Sequence, residues 1–314
     1  MSTAGPKRRI LTIDGGGIKG VFASSFLASL EQSIGSPVAD HFDLIAGTST
    51  GGIIAIGLGL GYSAREVLGF YEEHAPDIFQ QSGFSNVWAS LRQVGKSKYG
   101  NEQLAASLNR FFSGRTLGES KTALLIPSFN LETGEVYIFR SGGAAGFSTD
   151  SNTEALDAAL STAAAPTFFP AHRTKQGTPL VDGAVWANNP TELAVVEAIG
   201  TLGWSSDSIS VLSLGATQEP FSAGLARNAP LGAAYWGLKA AELFITAQSS
   251  AALTMAGRLI GPENIYRFNP TMPRKRFGLD KVSEIPSLKG LGDAEARKAL
   301  PLLTKVFFTP AAKR

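Results

Sequence analysis

The chain has 314 residues, of which 44% are hydrophobic and 17% charged, and its formal net charge is +2. That length allows a large buried core, while the small net charge gives no broad basic field for binding a nucleic-acid polymer. Disulfides, zinc–thiolate sites and a cysteine nucleophile are excluded because the chain has no cysteine.

The first 60 residues alternate between strand-like and helix-like patterns. Apolar runs predict buried strands over 9–13 and 42–46, and helical spacing of apolar residues predicts helices over 21–34 and 52–60. This alternation is typical of a βαβ unit in a mostly parallel sheet. A helix over 63–74 is predicted next, with Ser63 and Glu66 forming a capping box at its start.

The rest of the chain continues the mixed pattern. Strands are predicted over 123–131, 136–140, 179–182, 209–214 and 264–268, and helices over 101–112, 153–165, 190–202, 231–259 and 293–308. Residues 81–100 have a mixed pattern and are predicted to be an excursion from the core. No stretch of about 18 uninterrupted apolar residues occurs, so no membrane span is expected. Because no repeat or linker interrupts the pattern, we expect one domain over 1–314, with a core over about 8–215 and a C-terminal helical part over 216–314.

Ser49 lies in Gly47-Thr48-Ser49-Thr50-Gly51, between a predicted strand and a predicted helix. The G-x-S-x-G pattern at such a junction is typical of a nucleophile elbow, in which a sharp turn exposes the serine hydroxyl. Gly47 and Gly51 are the small residues that such a turn needs. The alternative is a tight turn whose serine only caps the following helix.

Three consecutive glycines, Gly15, Gly16 and Gly17, follow the first predicted strand. Their backbone N–H groups have no side chains to shield them and can point together at one oxygen. An oxyanion hole requires this arrangement, and losing one such donor typically costs about 2.7–4 kcal/mol of transition-state stabilisation. Asp14, which precedes them, is expected to shape the loop.

A second interpretation of this loop is a dinucleotide-binding site, because Gly15, Gly17 and Gly20 match G-x-G-x-x-G. Such a site needs an acidic residue at the end of the second strand to bind the ribose. Here that strand ends in the Ser49 elbow. Asp14 would also place a carboxylate close to the pyrophosphate, so the oxyanion hole is the favoured interpretation.

A serine nucleophile needs a base, which is most often histidine. His41 begins the strand that leads to the elbow and is expected about 20 Å or more from Ser49. His74 falls near the end of a surface helix, while His172 stays open as a base from the sequence alone.

Asp182 is the preferred base. It leaves a short apolar strand and is followed by Gly183, a position from which its carboxylate can point out of the sheet. A Ser49–Asp182 dyad requires burial that raises the basicity of this carboxylate above that of an ordinary aspartate, whose pKa is about 3.9.

The chain resembles the patatin-like phospholipases over about residues 8–215. Three segments carry the resemblance in this order: Asp14-Gly-Gly-Gly-Ile-Lys-Gly, Gly47-Thr-Ser-Thr-Gly and Asp182-Gly-Ala. The resemblance implies a three-layer α/β fold, with a central mostly parallel sheet flanked by helices. It implies a lipid acyl hydrolase that cleaves phospholipid esters without metal or cofactor. The implied roles are nucleophile and base for Ser49 and Asp182, oxyanion hole for Gly15, Gly16 and Gly17, and motif support for Gly47, Gly51 and Gly183.

In size and in its compact N-terminal motif, the chain is also similar to bacterial patatin-like effectors of antiphage systems. In those proteins a cyclic dinucleotide switches on the degradation of membrane lipid. This similarity implies a cyclic dinucleotide activator, a cytoplasmic protein that meets the inner membrane transiently, and a phospholipid surface as substrate. Oligomerisation on activation stays open, and no binding motif for the activator is readable.

Overall fold

The computed structural model describes residues 6–79, 99–141, 150–219, 233–273 and 277–308. Its strands are β1 (Arg8–Ile13), β2 (Leu44–Gly47), β3 (Ala123–Asn130), β4 (Glu135–Ser141), β5 (His172–Arg173), β6 (Pro179–Asp182), β7 (Ile209–Leu214) and β8 (Ile265–Phe268). Its helices are α1 (Gly20–Ile34), α2 (Thr50–Gly59), α3 (Ala64–Ile78), α4 (Glu102–Phe112), α5 (Ala155–Thr162), α6 (Ala184–Ala187), α7 (Thr191–Gly200), α8 (Ala233–Ile260) and α9 (Ile285–Val306). Nearly all of the predicted excursion over 81–100, and the first two residues of the predicted helix over 231–259, lie outside the described residues.

The strands form one sheet in the order β5–β6–β3–β2–β1–β7–β8, with β4 paired to β3. The pairs β3–β2, β2–β1, β1–β7 and β7–β8 are parallel. Antiparallel pairing joins β4 and β6 to β3, and β5 to β6. The prediction of a central, mostly parallel sheet is therefore confirmed.

Both faces of the sheet are covered by helices. Successive side chains of a strand point to opposite faces, and here they enter two separate clusters: Ile10 packs with residues of α7 and α8, while Leu11 packs with residues of α1, α2 and α3. In β2, Leu44 likewise enters the cluster of Ile10, and Ile45 enters the cluster of Leu11. This arrangement is the predicted three-layer α/β fold, and strands buried on both sides explain the continuous apolar runs in the sequence.

Two helices differ from the predictions by four or more residues at one end. The last helix begins at Ile285, eight residues before its predicted start, with Pro286 in its first turn, where a missing N–H costs nothing. Gly292, further along this helix, packs closely on α1, since a Cβ there would lie 2.5 Å from the Phe22 carbonyl oxygen. The glycines of this helix interrupt the apolar spacing by which a helix is predicted from sequence. The capping box of α3 is confirmed, with Ser63 and Glu66 exchanging hydrogen bonds, but the helix continues to Ile78.

Strands β2 and β6 meet end to end along one edge of β3. Strand β4 covers the other edge of β3 from Leu124 to Asn130. On the shared edge, β2 pairs with the first part of β3 up to Leu125, and β6 pairs with the last part from Ser128 onward. The C-terminal ends of β2 and β6 therefore face each other across residues 126–127. Ser49 lies in the turn that follows β2, and Asp182 is the last residue of β6.

Candidate active site

The turn after β2 has the strained geometry of a nucleophile elbow. Ser49 has φ 56° and ψ −123°, a conformation that L-residues rarely adopt. The neighbouring glycines leave room for it: a Cβ on Gly47 would lie 2.0 Å from the Gly51 carbonyl oxygen, and one on Gly51 would lie 2.2 Å from the Ile13 carbonyl oxygen. Any larger residue at either position forces the elbow open.

Thr162, at the end of α5, holds the elbow from the side. The Ser49 backbone N–H donates to Thr162 Oγ1 at 3.0 Å, and the Thr162 hydroxyl donates in turn to the Pro127 carbonyl at 2.6 Å. Thr162 is fully buried. The sequence reasoning missed this residue, because one threonine in a helix of small residues carries no local mark of such a contact.

The Asp182 carboxylate lies beside the Ser49 side chain, which acts to lower its pKa. It also accepts the Ala184 N–H on Oδ1 at 2.7 Å, which orients it at the end of β6. Asp182 is only 1% exposed, and this burial raises its pKa to about 7, although the Ser49 side chain and the hydrogen bond from Ala184 oppose the rise. Gly183 lets the turn pack against β3, since a Cβ there would lie 2.3 Å from the Pro127 carbonyl oxygen.

The three histidines are engaged elsewhere. His41 Nε2 is hydrogen-bonded to the Ser36 hydroxyl at 2.8 Å, and His74 packs against a phenylalanine ring of its own helix. His172 Nε2 is bound to Asp157 Oδ1 at 2.9 Å. Burial raises the pKa of Asp157, but hydrogen bonds from His172 and Lys175 outweigh it and hold that pKa below its usual range.

The glycine loop lies directly against the nucleophile. A Cβ on Gly15 would approach Ser49 Cβ to 3.1 Å and Asn188 Oδ1 to 2.6 Å. The Gly15 N–H itself donates to the Asn188 carbonyl at 3.0 Å, so it is already engaged. Among the described residues, the N–H groups of Gly16 and Gly17 have no protein acceptor. Of the three predicted oxyanion donors, Gly16 and Gly17 therefore have an N–H group that is available to a substrate oxygen.

Arg267 of β8 is a second residue that the sequence reasoning missed. Its guanidinium makes two hydrogen bonds to the carboxylate of Asp14, Nη1 to Oδ1 at 2.8 Å and Nη2 to Oδ2 at 2.5 Å. Burial raises the pKa of Asp14, while the charge and hydrogen bonds of Arg267 oppose that rise. An arginine within the apolar strand Ile265–Phe268 was the available clue, because a buried cation needs an acidic partner.

The glycines of the dinucleotide motif pack against protein atoms. A Cβ on Gly17 would lie 2.3 Å from the Leu279 carbonyl oxygen, and one on Gly20 would lie 2.3 Å from Thr50 Oγ1. Gly15 contacts Asn188 and Ser49 in the same way. Close packing within the chain is thus sufficient to account for all three glycines, and the dinucleotide alternative gains no support.

No helix among the described residues combines the length and apolar character needed to cross a membrane. Within the same residues, histidine and acidic side chains form no group of three that could hold a metal ion.

Comparisons with known proteins identify the family of the chain. A family model described as patatin-like phospholipase matches residues 11–195. A cGAMP-activated phospholipase of Pseudomonas aeruginosa is 30% identical over 305 residues, which cover 94% of this chain and 90% of that protein. A cGAMP-activated phospholipase of Vibrio cholerae is 33% identical over 233 residues, covering 68% of this chain and 65% of that protein. Among solved structures, VipD from Legionella pneumophila aligns with TM-score 0.46 and 11% identity, covering 94% of this chain and 67% of that one. The chain belongs to the patatin-like phospholipase family of lipid-hydrolysing esterases.

Proposed function

We propose that this chain hydrolyses ester bonds of membrane phospholipids, a phospholipase A-type reaction, through a Ser49–Asp182 dyad. The observation that carries the proposal is that the Ser49 side chain lies beside a buried carboxylate whose pKa is raised to about 7. A general base is most effective when its pKa lies near the working pH. The binding of His172 to Asp157 adds support, since it leaves Asp182 as the base in contact with Ser49.

In the first half of the reaction, Asp182 accepts the hydroxyl proton as Ser49 Oγ attacks the ester carbonyl carbon. The carbonyl oxygen becomes an oxyanion and is bound by the free N–H groups of Gly16 and Gly17. The tetrahedral intermediate then collapses, the bond to the lysolipid oxygen breaks, and Asp182 returns the proton to that oxygen. An acyl ester on Ser49 remains.

In the second half, water attacks the acyl ester. Asp182 accepts a proton from the water, the same N–H groups bind the second oxyanion, and the bond to Ser49 Oγ breaks as that oxygen recovers its proton. The products are a fatty acid and free enzyme. Every step uses groups of the chain and water alone.

We also propose that a cyclic dinucleotide activates this hydrolysis, as part of bacterial antiphage defence. The support is that two relatives are cGAMP-activated phospholipases, and that the similarity to one of them covers 94% of this chain. The protein would then act from the cytoplasm, reaching the inner membrane surface transiently, with oligomerisation accompanying activation.

The test is fatty-acid release from phospholipid vesicles, with and without a panel of cyclic dinucleotides. We expect wild type to release fatty acid, with a rate that one member of the panel increases, and Ser49→Ala and Asp182→Asn to release none. Release by Ser49→Ala would refute the nucleophile. Release that is equal with and without every member of the panel would leave the hydrolase proposal standing and refute the activator.

A further inference from the structure

Asp14, which begins the glycine loop, is held in place by a strand from the far end of the chain. Asp14 and Arg267 are 253 residues apart in sequence, yet their side chains form a two-point ion pair with Asp14 5% and Arg267 15% exposed. Two parallel N–H···O bonds fix the relative orientation of the two groups as well as their distance. The pair thereby ties the start of the loop to β8.

The loop touches the C-terminal part of the chain at two further points. Gly17 lies against the Leu279 carbonyl, which also accepts the Ile18 N–H at 2.8 Å. Gly16 lies against Ala216, since a Cβ on Gly16 would approach Ala216 Cβ to 2.3 Å. The positions of both free N–H groups therefore depend on residues beyond 215.

Arg267 also begins a series of hydrogen bonds in which every hydroxyl donates in the same direction. Thr191 Oγ1 donates its one proton to Asn189 Oδ1 at 2.6 Å, so it accepts from Ser213 Oγ at 3.0 Å and from Thr12 Oγ1 at 2.9 Å. Ser213 Oγ, having donated, accepts from Arg267 Nη1 at 2.9 Å. Arg267 thus donates to Ser213, Ser213 donates to Thr191, and Thr191 donates to Asn189.

This series of hydrogen bonds ends at Asn189, which is hydrogen-bonded to helix α8. The Asn189 N–H donates to Gln248 Oε1 at 3.1 Å, and Gln248 Nε2 donates back to the Asn189 carbonyl at 3.3 Å. Its neighbour Asn188 accepts the Gly15 N–H. The glycine loop is therefore fixed from both sides by one polar network that crosses β1, β7 and β8.

The pair is not arranged for stability alone. Arg267 Nε is buried and has no hydrogen-bond partner among the described residues. A buried donor without a partner is destabilising, so a fully apolar contact at this position would suit the fold at least as well. The guanidinium has two acceptors, the Asp14 carboxylate and the Ser213 hydroxyl.

We propose that Arg267 is a positioning residue for catalysis, which orients Asp14 and so aims the Gly16 and Gly17 N–H groups at the oxyanion. The proposal rests on the ester hydrolysis proposed above. Arg267 does not itself touch the reacting atoms. Its role is to set the geometry of donors that act only in the transition state, so its loss lowers kcat more than it changes KM.

The test measures kcat and KM of Arg267→Met and Arg267→Lys on a soluble ester, together with the thermal midpoint and the pH profile. A displacement of about 1 Å at an active site can cost a hundredfold in rate, so we expect Arg267→Met to lower kcat by about 10- to 100-fold. KM and the pH midpoint set by Asp182 should stay unchanged. Arg267→Lys should fall between, because an ammonium keeps the charge but cannot form the two-point pair.

Arg140 offers a matched control. It makes a similar two-point pair with Glu197, Nε to Oε2 at 3.2 Å and Nη2 to Oε1 at 2.5 Å, between β4 and α7. We expect Arg140→Met to lower the thermal midpoint and to leave kcat unchanged.

Three results would overturn the proposal: full kcat in a folded Arg267→Met variant, an equal loss of kcat in Arg140→Met, or a shifted pH midpoint that accounts for the loss. If Arg267→Met does not fold, Arg267→Lys decides by the same criteria. An inactive wild type would count against the proposed hydrolysis, and is distinct from an active wild type that Arg267 substitutions leave unaffected.

Discussion

At the scale of single residues, the proposed chemistry depends on how an ordinary aspartate becomes a base. Burial raises the pKa of Asp182 to about 7, and the Ala184 N–H orients its carboxylate. Ser49 and Asp182 can be predicted from the sequence, because each stands in a short pattern at the end of an apolar run. Thr162 and Arg267 cannot, because their partners lie 113 and 253 residues away in sequence and neither residue stands in a recognisable pattern.

The pKa of Asp182 predicts the pH dependence of the reaction. Asp182 accepts a proton only when ionised, so activity is lost as the pH falls through the pKa. We expect kcat/KM to rise about tenfold per pH unit well below pH 7 and to level off above it. The measurement is kcat/KM on a soluble ester from pH 5 to 9. A profile that stays flat down to pH 5 would contradict Asp182 as the base.

At the scale of elements, the site exists because β2 and β6 meet end to end on the same edge of β3. The order of most strands and helices follows from local apolar patterns. The antiparallel pairing of β6 with β3 does not, since pairing partners and register depend on the whole sheet. The sequence therefore predicts two motifs at strand ends, while the structure explains why they touch.

Thr162 links these elements, and its substitution predicts a loss of activity. Thr162→Val keeps the shape but leaves the buried Ser49 N–H without an acceptor, a cost of about 1–3 kcal/mol that falls on the strained elbow. We expect a lower kcat and a lower thermal midpoint, whereas Thr162→Ser, which keeps the hydroxyl, should retain most of both. Thr254, exposed on α8, provides a control, and Thr254→Val should match wild type. Full activity in Thr162→Val would show that the Ser49 turn does not need the Thr162 hydrogen bond.

At the scale of the whole molecule, we propose that the chain is one domain. The match to the family model ends at residue 195. Packing does not follow that boundary: β8 pairs with β7, α9 packs on α1, and Arg267 and Leu279 contact the glycine loop. The C-terminal part completes both the core and the site.

A single domain should unfold in one step. We expect one calorimetric transition for the full chain, with equal calorimetric and van't Hoff enthalpies. A fragment of residues 1–215 should lack a cooperative transition and esterase activity. Two resolved transitions, or a folded and active fragment, would mean that the C-terminal part is a separate unit.

Labelling of Ser49 by a fluorophosphonate tests the central claim most directly, because the reagent reports an activated serine without requiring a particular lipid. The comparison is between wild type, Ser49→Ala, Asp182→Asn and His172→Ala at pH 8. The Ser49–Asp182 dyad predicts rapid labelling of wild type and His172→Ala, and none of Ser49→Ala or Asp182→Asn. Labelling that persists in Asp182→Asn and disappears in His172→Ala would contradict the dyad and assign the base to histidine.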